Sequence, residues 1–195
     1  MSLILASQSP RRSQLLTSIG VQFRVQNGPD LDEDTVLNDE ALGSFDERMI
    51  ELSRRKGLPV STAHPDSLVL SADTMVLVDE HRLGKPASPP DALRMLRLLN
   101  GRRHQVATAV VLQRAADGLL LSGVERTAVS FRDLPEDVHL RYLERARPWD
   151  KAGAYAIQDL GSLLVAAIDG DYPNIVGLPL VRTAGMLELA GMSVL

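Results

Sequence analysis

The chain has 195 residues, 45% of them hydrophobic, and a formal net charge of -4 at pH 7. That much apolar material supports one sizeable core and excludes a disordered chain, while the acidic balance argues against a broad nucleic-acid footprint. With no cysteine, disulfides, zinc-thiolate sites and thiol nucleophiles drop out, and no apolar run nears the roughly 20 residues that span a bilayer or reads as a signal peptide, so the cytoplasm is the expected compartment.

Leu3 to Ala6 reads as a buried strand. Ser9 then stands at an N-cap with Pro10 at the first helical position, and Leu15, Leu16 and Ile19 form an apolar stripe that ends at Gly20. Val21 to Val25 alternates as a second strand, followed by the acidic loop Asp30-Leu31-Asp32-Glu33-Asp34. Ser44-Phe45-Asp46-Glu47 has capping-box spacing. It opens a helix through Met49, Ile50 and Leu52, expected to stop before Gly57 with Arg54, Arg55 and Lys56 at its negative dipole end.

Leu68 to Ser71 and Met75 to Val78 read as strand segments on either side of Ala72-Asp73-Thr74, with a polar turn at residues 79 to 82. Pro89-Pro90 starts a helix that Asn100-Gly101 stops. Val106 to Leu112 and Leu119 to Phe131 form a hairpin around Ala115 to Gly118. A helix over Pro135 to Arg145, a strand over Leu163 to Ile168 and a last helix over Leu178 to Leu189 complete the chain. No repeat or linker interrupts residues 1–195, so one continuous domain is expected. Neighbouring antiparallel strands mixed with crossovers predict an α/β fold around a mixed sheet.

The segment Ser7-Gln8-Ser9-Pro10-Arg11-Arg12 puts hydroxyls and guanidiniums at a helix start, where unpaired N–H groups and the dipole favour an anion. Arginine adds a fork that holds two phosphate oxygens, although Ser9 as a plain cap and two solvated arginines fit the same spacing. Asp73, closing an apolar strand, is placed to accept a proton or hold a cation; an Asp that caps a turn or pairs with a lysine is the alternative. Asp32 and Glu33 offer carboxylates that would join Asp73 on a hard divalent ion, or else belong to a solvated loop.

Lys85 in Leu83-Gly84-Lys85-Pro86 and Lys56 at its helix end are candidate phosphate contacts or solvated surface lysines. In Asp150-Lys151-Ala152-Gly153-Ala154-Tyr155-Ala156-Ile157-Gln158, small residues admit a flat ligand. Lys151, Tyr155 and Gln158 are candidate substrate contacts there, and the Gln158 amide matches the donor and acceptor edge of a pyrimidine. A small-residue turn packed on the sheet is the other reading. No P-loop, HExxH or GxSxG motif occurs.

Together and in order, these segments, with Asn100-Gly101, His104 and Val176-Gly177-Leu178-Pro179-Leu180, resemble the Maf family of nucleotide pyrophosphatases over nearly the whole chain. The resemblance implies an elongated mixed sheet flanked by helices, two lobes with a central cleft, related to the house-cleaning inosine triphosphatases. It implies hydrolysis of dTTP and UTP to monophosphate and pyrophosphate with a divalent cation such as Mg2+ or Mn2+, modified pyrimidine nucleotides being further substrates, and a homodimer. A nucleotide-sensing regulator of cell division without catalysis is the rival. By similarity Asp73 is the proton acceptor and a metal ligand, and Glu33 an acidic position near the metal. Ser9, Arg11, Arg12, Lys56 and Lys85 fall at phosphate-contacting positions, and Arg12, Thr74 and Gln158 at positions of base choice. The chain departs from the family at Ala156 and Asp159, where glycine is common.

Overall fold

A computed structural model describes residues 2–29 and 31–195. Asp30, part of the expected acidic loop, lies outside the described residues. Among the described residues seven strands form one mixed sheet: β1 (Leu3–Leu5), β2 (Arg24–Val25), β3 (Leu68–Val78), β4 (His81–Leu83), β5 (Arg103–Arg114), β6 (Leu119–Phe131) and β7 (Val165–Asp169). Their order is β2-β1-β3-β5-β6-β7, with β4 on β3. β1 runs parallel to β2 and to β3, whereas β3/β4 and β6/β7 are antiparallel. The expected mixed α/β architecture is what forms. Among the described residues the α-helices are α1 (Pro10–Ser18), α2 (Glu33–Leu37), α3 (Phe45–Ala63), α4 (Pro89–Leu99), α5 (Glu136–Ala146), α6 (Tyr172–Val176) and α7 (Leu180–Leu189).

The chain falls into two compact units. Unit 1 holds residues 1–73, 108–125 and 177–195; unit 2 holds 74–107 and 126–176. β3, β5 and β6 each contribute residues to both units.

In unit 1 the apolar run of β1 is buried on both sides, as a parallel strand demands. Leu3 and Leu5 join Leu68, Leu70 and Ala72 under Leu16 of α1 and Leu187 of α7. Ile4 and Ala6 meet Val69 and Val60 of α3 on the opposite face. In unit 2, α4 and α5 pack together, burying Leu96, Leu99 and Leu143.

Several expectations change: the polar turn is only Asp79-Glu80, since His81 and Arg82 pair with β3 in β4, and the second strand shortens to Arg24–Val25. The acidic loop is in part the helix α2, which Asp32 opens by accepting from the Thr35 N–H at 3.3 Å. Strand β3 is continuous for 11 residues, so Asp73 sits in mid-strand and not at a strand end. The capping box at Ser44 and Glu47 forms as expected, but α3 runs on through Gly57 and Pro59 to Ala63. Gly57 continues the helix because it is where α3 touches the sheet. A Cβ there would lie 2.4 Å from Gln113 Nε2 and 2.9 Å from Ser71 Oγ.

In an exposed helix, Gly to Ala gains about 1 kcal/mol. At residue 57 the overpacking outweighs that gain, and Gly57→Ala is expected to destabilise by about 1–3 kcal/mol. Urea denaturation checks it; a raised midpoint would mean that α3 is not seated on the sheet in this way.

Candidate active site

Strand β1 ends at Leu5, where it pairs Leu70, while β3 continues past it. Beyond that end the chain turns into α1, and the region outside the carboxyl end of a parallel strand is a favoured ligand position in α/β sheets. Ser9 occupies the N-cap with Pro10 behind it, yet its side chain makes no capping bond. The hydroxyl of Ser7 is the acceptor here, taking the Ser9 N–H at 3.2 Å and Arg12 Nη1 at 3.1 Å. Arg12 Nε donates to the Gly177 carbonyl at 2.8 Å. The half-buried guanidinium of Arg12 is thus oriented and not simply solvated. Burial lowers its pKa; attraction to Asp73 and Glu33 opposes the drop, and repulsion from Arg11 adds to it.

Asp73 and Glu33 meet through a lysine. On an extended strand Val69, Ser71 and Asp73 share the face turned to α3. Ser71 is fixed there by its bond to the Ser53 carbonyl at 2.7 Å. One residue before Gly57, Lys56 reaches Asp73 Oδ2 at 3.0 Å and Glu33 Oε1 at 2.8 Å. Lys56 lies in mid-helix, so its position comes from this packing and not from the helix dipole. Its backbone is held from the other side too, since a Cβ on Gly28 would stand 2.0 Å from the Lys56 carbonyl oxygen. The Asp73 and Lys56 side chains are only 14% and 20% exposed.

The residues predicted as metal ligands, Glu33 and Asp73, each aim an oxygen at one positive centre. Hard oxygen donors suit Mg2+ or Mn2+, and Mg2+ usually takes one or two carboxylates, waters and substrate phosphates. This pair fits such an ion. Asp32 is spent on capping α2, receiving both the N–H and the hydroxyl of Thr35, and those bonds hold its carboxyl below the usual range. Among the described residues no group of three His, Asp or Glu gathers as a metal cage.

The remaining candidates lie in unit 2. Thr74 alternates to the strand face of Val76, and a Cβ on Gly153 would come within 3.1 Å of Val76. The Gly153 N–H donates to the Gly84 carbonyl at 3.0 Å, which ties the loop carrying the exposed Lys85 to the 151–158 segment. Lys151 pairs with Asp150. Tyr155 is a core residue, 5% exposed. Its hydroxyl shares a 2.8 Å hydrogen bond with His104 Nε2, and the rings of His104, Phe131 and Tyr155 stack edge to face. Burial raises the Tyr155 pKa well above the phenol range. Tyr155 therefore supports the segment from behind, and Gln158, half-exposed, is its amide toward solvent.

The backbone explains one departure from the family pattern. Gly153, Ala154 and Asp159 have φ of 67°, 57° and 52°. Glycine adopts this left-handed region without cost, and Asp tolerates it better than most residues. The hydroxyls of Ser7-Gln8-Ser9 were singled out from the sequence, but the Gly177 carbonyl that orients Arg12 and the close approach at Gly57 were missed. Only the glycines left a signal, as small residues inside otherwise regular patterns.

Two predictions follow from this geometry. Asp159 is exposed, so Asp159→Gly is expected to raise stability by about 0.5–1 kcal/mol through relief of the left-handed strain, read as a higher melting temperature; a lower one would assign Asp159 a stabilising contact. Burial pushes His104 down to about 4. Between pH 6.5 and 4 the unfolded imidazole binds a proton that the folded one refuses. Stability is therefore expected to fall with acidification in that window, by up to about 1.4 kcal/mol per pH unit from this group, and to be insensitive to it above. His139 is lowered by burial in the same sense, so the test is the difference between wild type and His104→Gln. Parallel stability curves for the two would rule the effect out.

The Maf-like protein family model matches residues 2–190. A dTTP/UTP pyrophosphatase of Symbiobacterium thermophilum is 46% identical over 97% of this chain and 94% of that protein. Those of Moorella thermoacetica and Exiguobacterium sibiricum are 43% and 44% identical, over 98% and 97% of this chain and 96% and 93% of theirs. Among solved structures, that of a HAM1 protein from Coxiella burnetii overlaps 66% of this chain and 73% of that chain at 15% identity and a TM-score of 0.42, too distant a likeness to carry an argument.

Proposed function

The chain belongs to the Maf-like protein family, and from that premise we propose that it is a nucleoside triphosphate pyrophosphatase, hydrolysing dTTP and UTP to the monophosphate and pyrophosphate. The observation that carries the reading is the pair of carboxylates, Asp73 and Glu33, gathered on one cation beside an oriented arginine. That arrangement suits chemistry at a phosphate, where charge must be both held and balanced.

Glu33 and Asp73 would hold a divalent cation, which when bound neutralises charge on the phosphate oxygens. Arg11 and Arg12 at the start of α1, with the Ser9 hydroxyl, grip phosphate oxygens through donors that the helix start already favours. Lys56 and Lys85 add point charges, and Lys151 a further one. Asp73 takes the proton of a water whose oxygen bonds to the α phosphorus. The bond from that phosphorus to the bridging oxygen breaks, and pyrophosphate leaves with the electron pair. Gln158 presents its amide to the pyrimidine edge, and Thr74 shares the strand face that supports the same segment. Modified pyrimidine nucleotides, a homodimer and cytoplasmic residence belong to this reading, as does the treatment of residues 1–195 as one functional domain. Among the described residues no helix is long and apolar enough to cross a membrane.

A purified sample given dTTP or UTP with Mg2+ or Mn2+ should release pyrophosphate and monophosphate. Release of orthophosphate alone would overturn the reading, and tight binding with no release would favour the nucleotide sensor. Asp73→Asn keeps the shape and removes the charge; it is expected to cut kcat by about 10²- to 10⁴-fold. Wild-type turnover in that variant would remove Asp73 from the chemistry.

A further inference from the structure

Lys56 is more than one phosphate contact among several. Its single ammonium bridges Glu33 Oε1 and Asp73 Oδ2 at 2.8 and 3.0 Å, on the two carboxylates that would hold the proposed divalent cation. The backbone it hangs from is fixed, because Gly28 lies close against the Lys56 carbonyl oxygen and Ser71 and Gln113 close on Gly57. A metal ion that needed the oxygens held by the ammonium would have to displace it. From this geometry we infer that Lys56 is a resident cation that blocks the metal position in the nucleotide-free protein, so that metal and triphosphate bind together.

This inference rests on the reading of Glu33 and Asp73 as the metal-holding pair. The ammonium is a compact charge on a flexible four-carbon stem, so it can swing from the carboxylates to a phosphate oxygen while its helix stays fixed. With no phosphate present, Lys56 has only the carboxylates, and a metal ion must displace it against their attraction. A triphosphate gives the ammonium a second anionic partner, and the vacated oxygens become available. Two ligands that each help the other in this way have equal and reciprocal effects on affinity. Removing Lys56 therefore has two consequences of opposite sign: tighter metal binding without nucleotide, and weaker coupling with it.

The experiment is Mn2+ binding to the full-length protein, followed by the paramagnetic resonance of free Mn2+. Wild type, Lys56→Met and Lys56→Gln are compared with and without a dTTP analogue whose α,β-bridging oxygen is replaced by an imido group. Without nucleotide, both variants are expected to bind Mn2+ at least 10-fold more tightly than wild type. The analogue should strengthen Mn2+ binding to wild type at least 10-fold, and by a smaller factor in the variants after subtraction of Mn2+ bound to the analogue alone. If Lys56→Met does not fold, Lys56→Gln carries the same comparison. Adding Glu33→Gln should abolish the variants' gain, which locates it at this carboxylate pair. Equal Mn2+ affinity of wild type and variants overturns the inference, as does a gain that survives Glu33→Gln. The broader reading fails separately, if wild-type protein releases no pyrophosphate from dTTP or UTP.

Discussion

Gly57 carries no side chain where α3 meets β3, and Ser71 and Gln113 fill the space it leaves. This close approach sets the distance between a helix and a strand and, through it, the position of every charge nearby. Ser71 is two residues before Asp73 on the same strand face, and Lys56 is one residue before Gly57 on the helix. Fixing the first pair of neighbours therefore brings the second pair together. Ser53 reinforces the contact through its carbonyl, which accepts the Ser71 hydroxyl, and Gln113 donates to the Arg54 carbonyl at 3.2 Å. A polar seam inside an otherwise apolar layer is costly unless each group is bonded. Here its members satisfy one another and hold α3 in place, which an apolar contact, being non-directional, would do with less precision.

A different device orders the 151–158 segment of unit 2. Left-handed residues at Gly153 and Ala154 make it turn sharply, and Tyr155 and Gln158, both extended, stand three positions apart, a spacing that turns their side chains to opposite sides. The inward ring is anchored by His104 and Phe131. The conformational cost of the turn is thus offset by aromatic packing and one buried hydrogen bond. Gly161 closes the segment against itself, since a Cβ there would lie 1.6 Å from the Ala156 carbonyl oxygen. The alanine at 156 is compatible with this because the neighbour needs its backbone, not its side chain.

The order and type of most elements were legible in the sequence. The hairpin of β5 and β6, the helices α4, α5 and α7 and the capping box at Ser44 all follow from turn residues, caps and apolar spacing. What escaped has a common physical cause. Gly57 is read locally as a helix stop, but tertiary packing on β3 overrides propensity and α3 runs on through it. Asp73-Thr74 is read as an interruption because its residues are polar, yet strand pairing needs only the backbone, and β3 runs through. The members of the site were named, but their partners were not. No spacing rule tells that Lys56 would span Glu33 and Asp73, 23 residues before it and 17 after, or that the carbonyl of Gly177 would orient Arg12.

The four groups Arg12, Lys56, Glu33 and Asp73 carry two positive and two negative charges, and each carboxylate lies close to a cation. Partly buried carboxylates without partners would be costly, and an unpaired basic pocket would bind any small anion that reached it. The balanced cluster avoids both. The pairing is set by the same packing at Gly57 that brings Lys56 to Asp73, so these charges are placed by the contact between α3 and β3 and not by their own attraction alone.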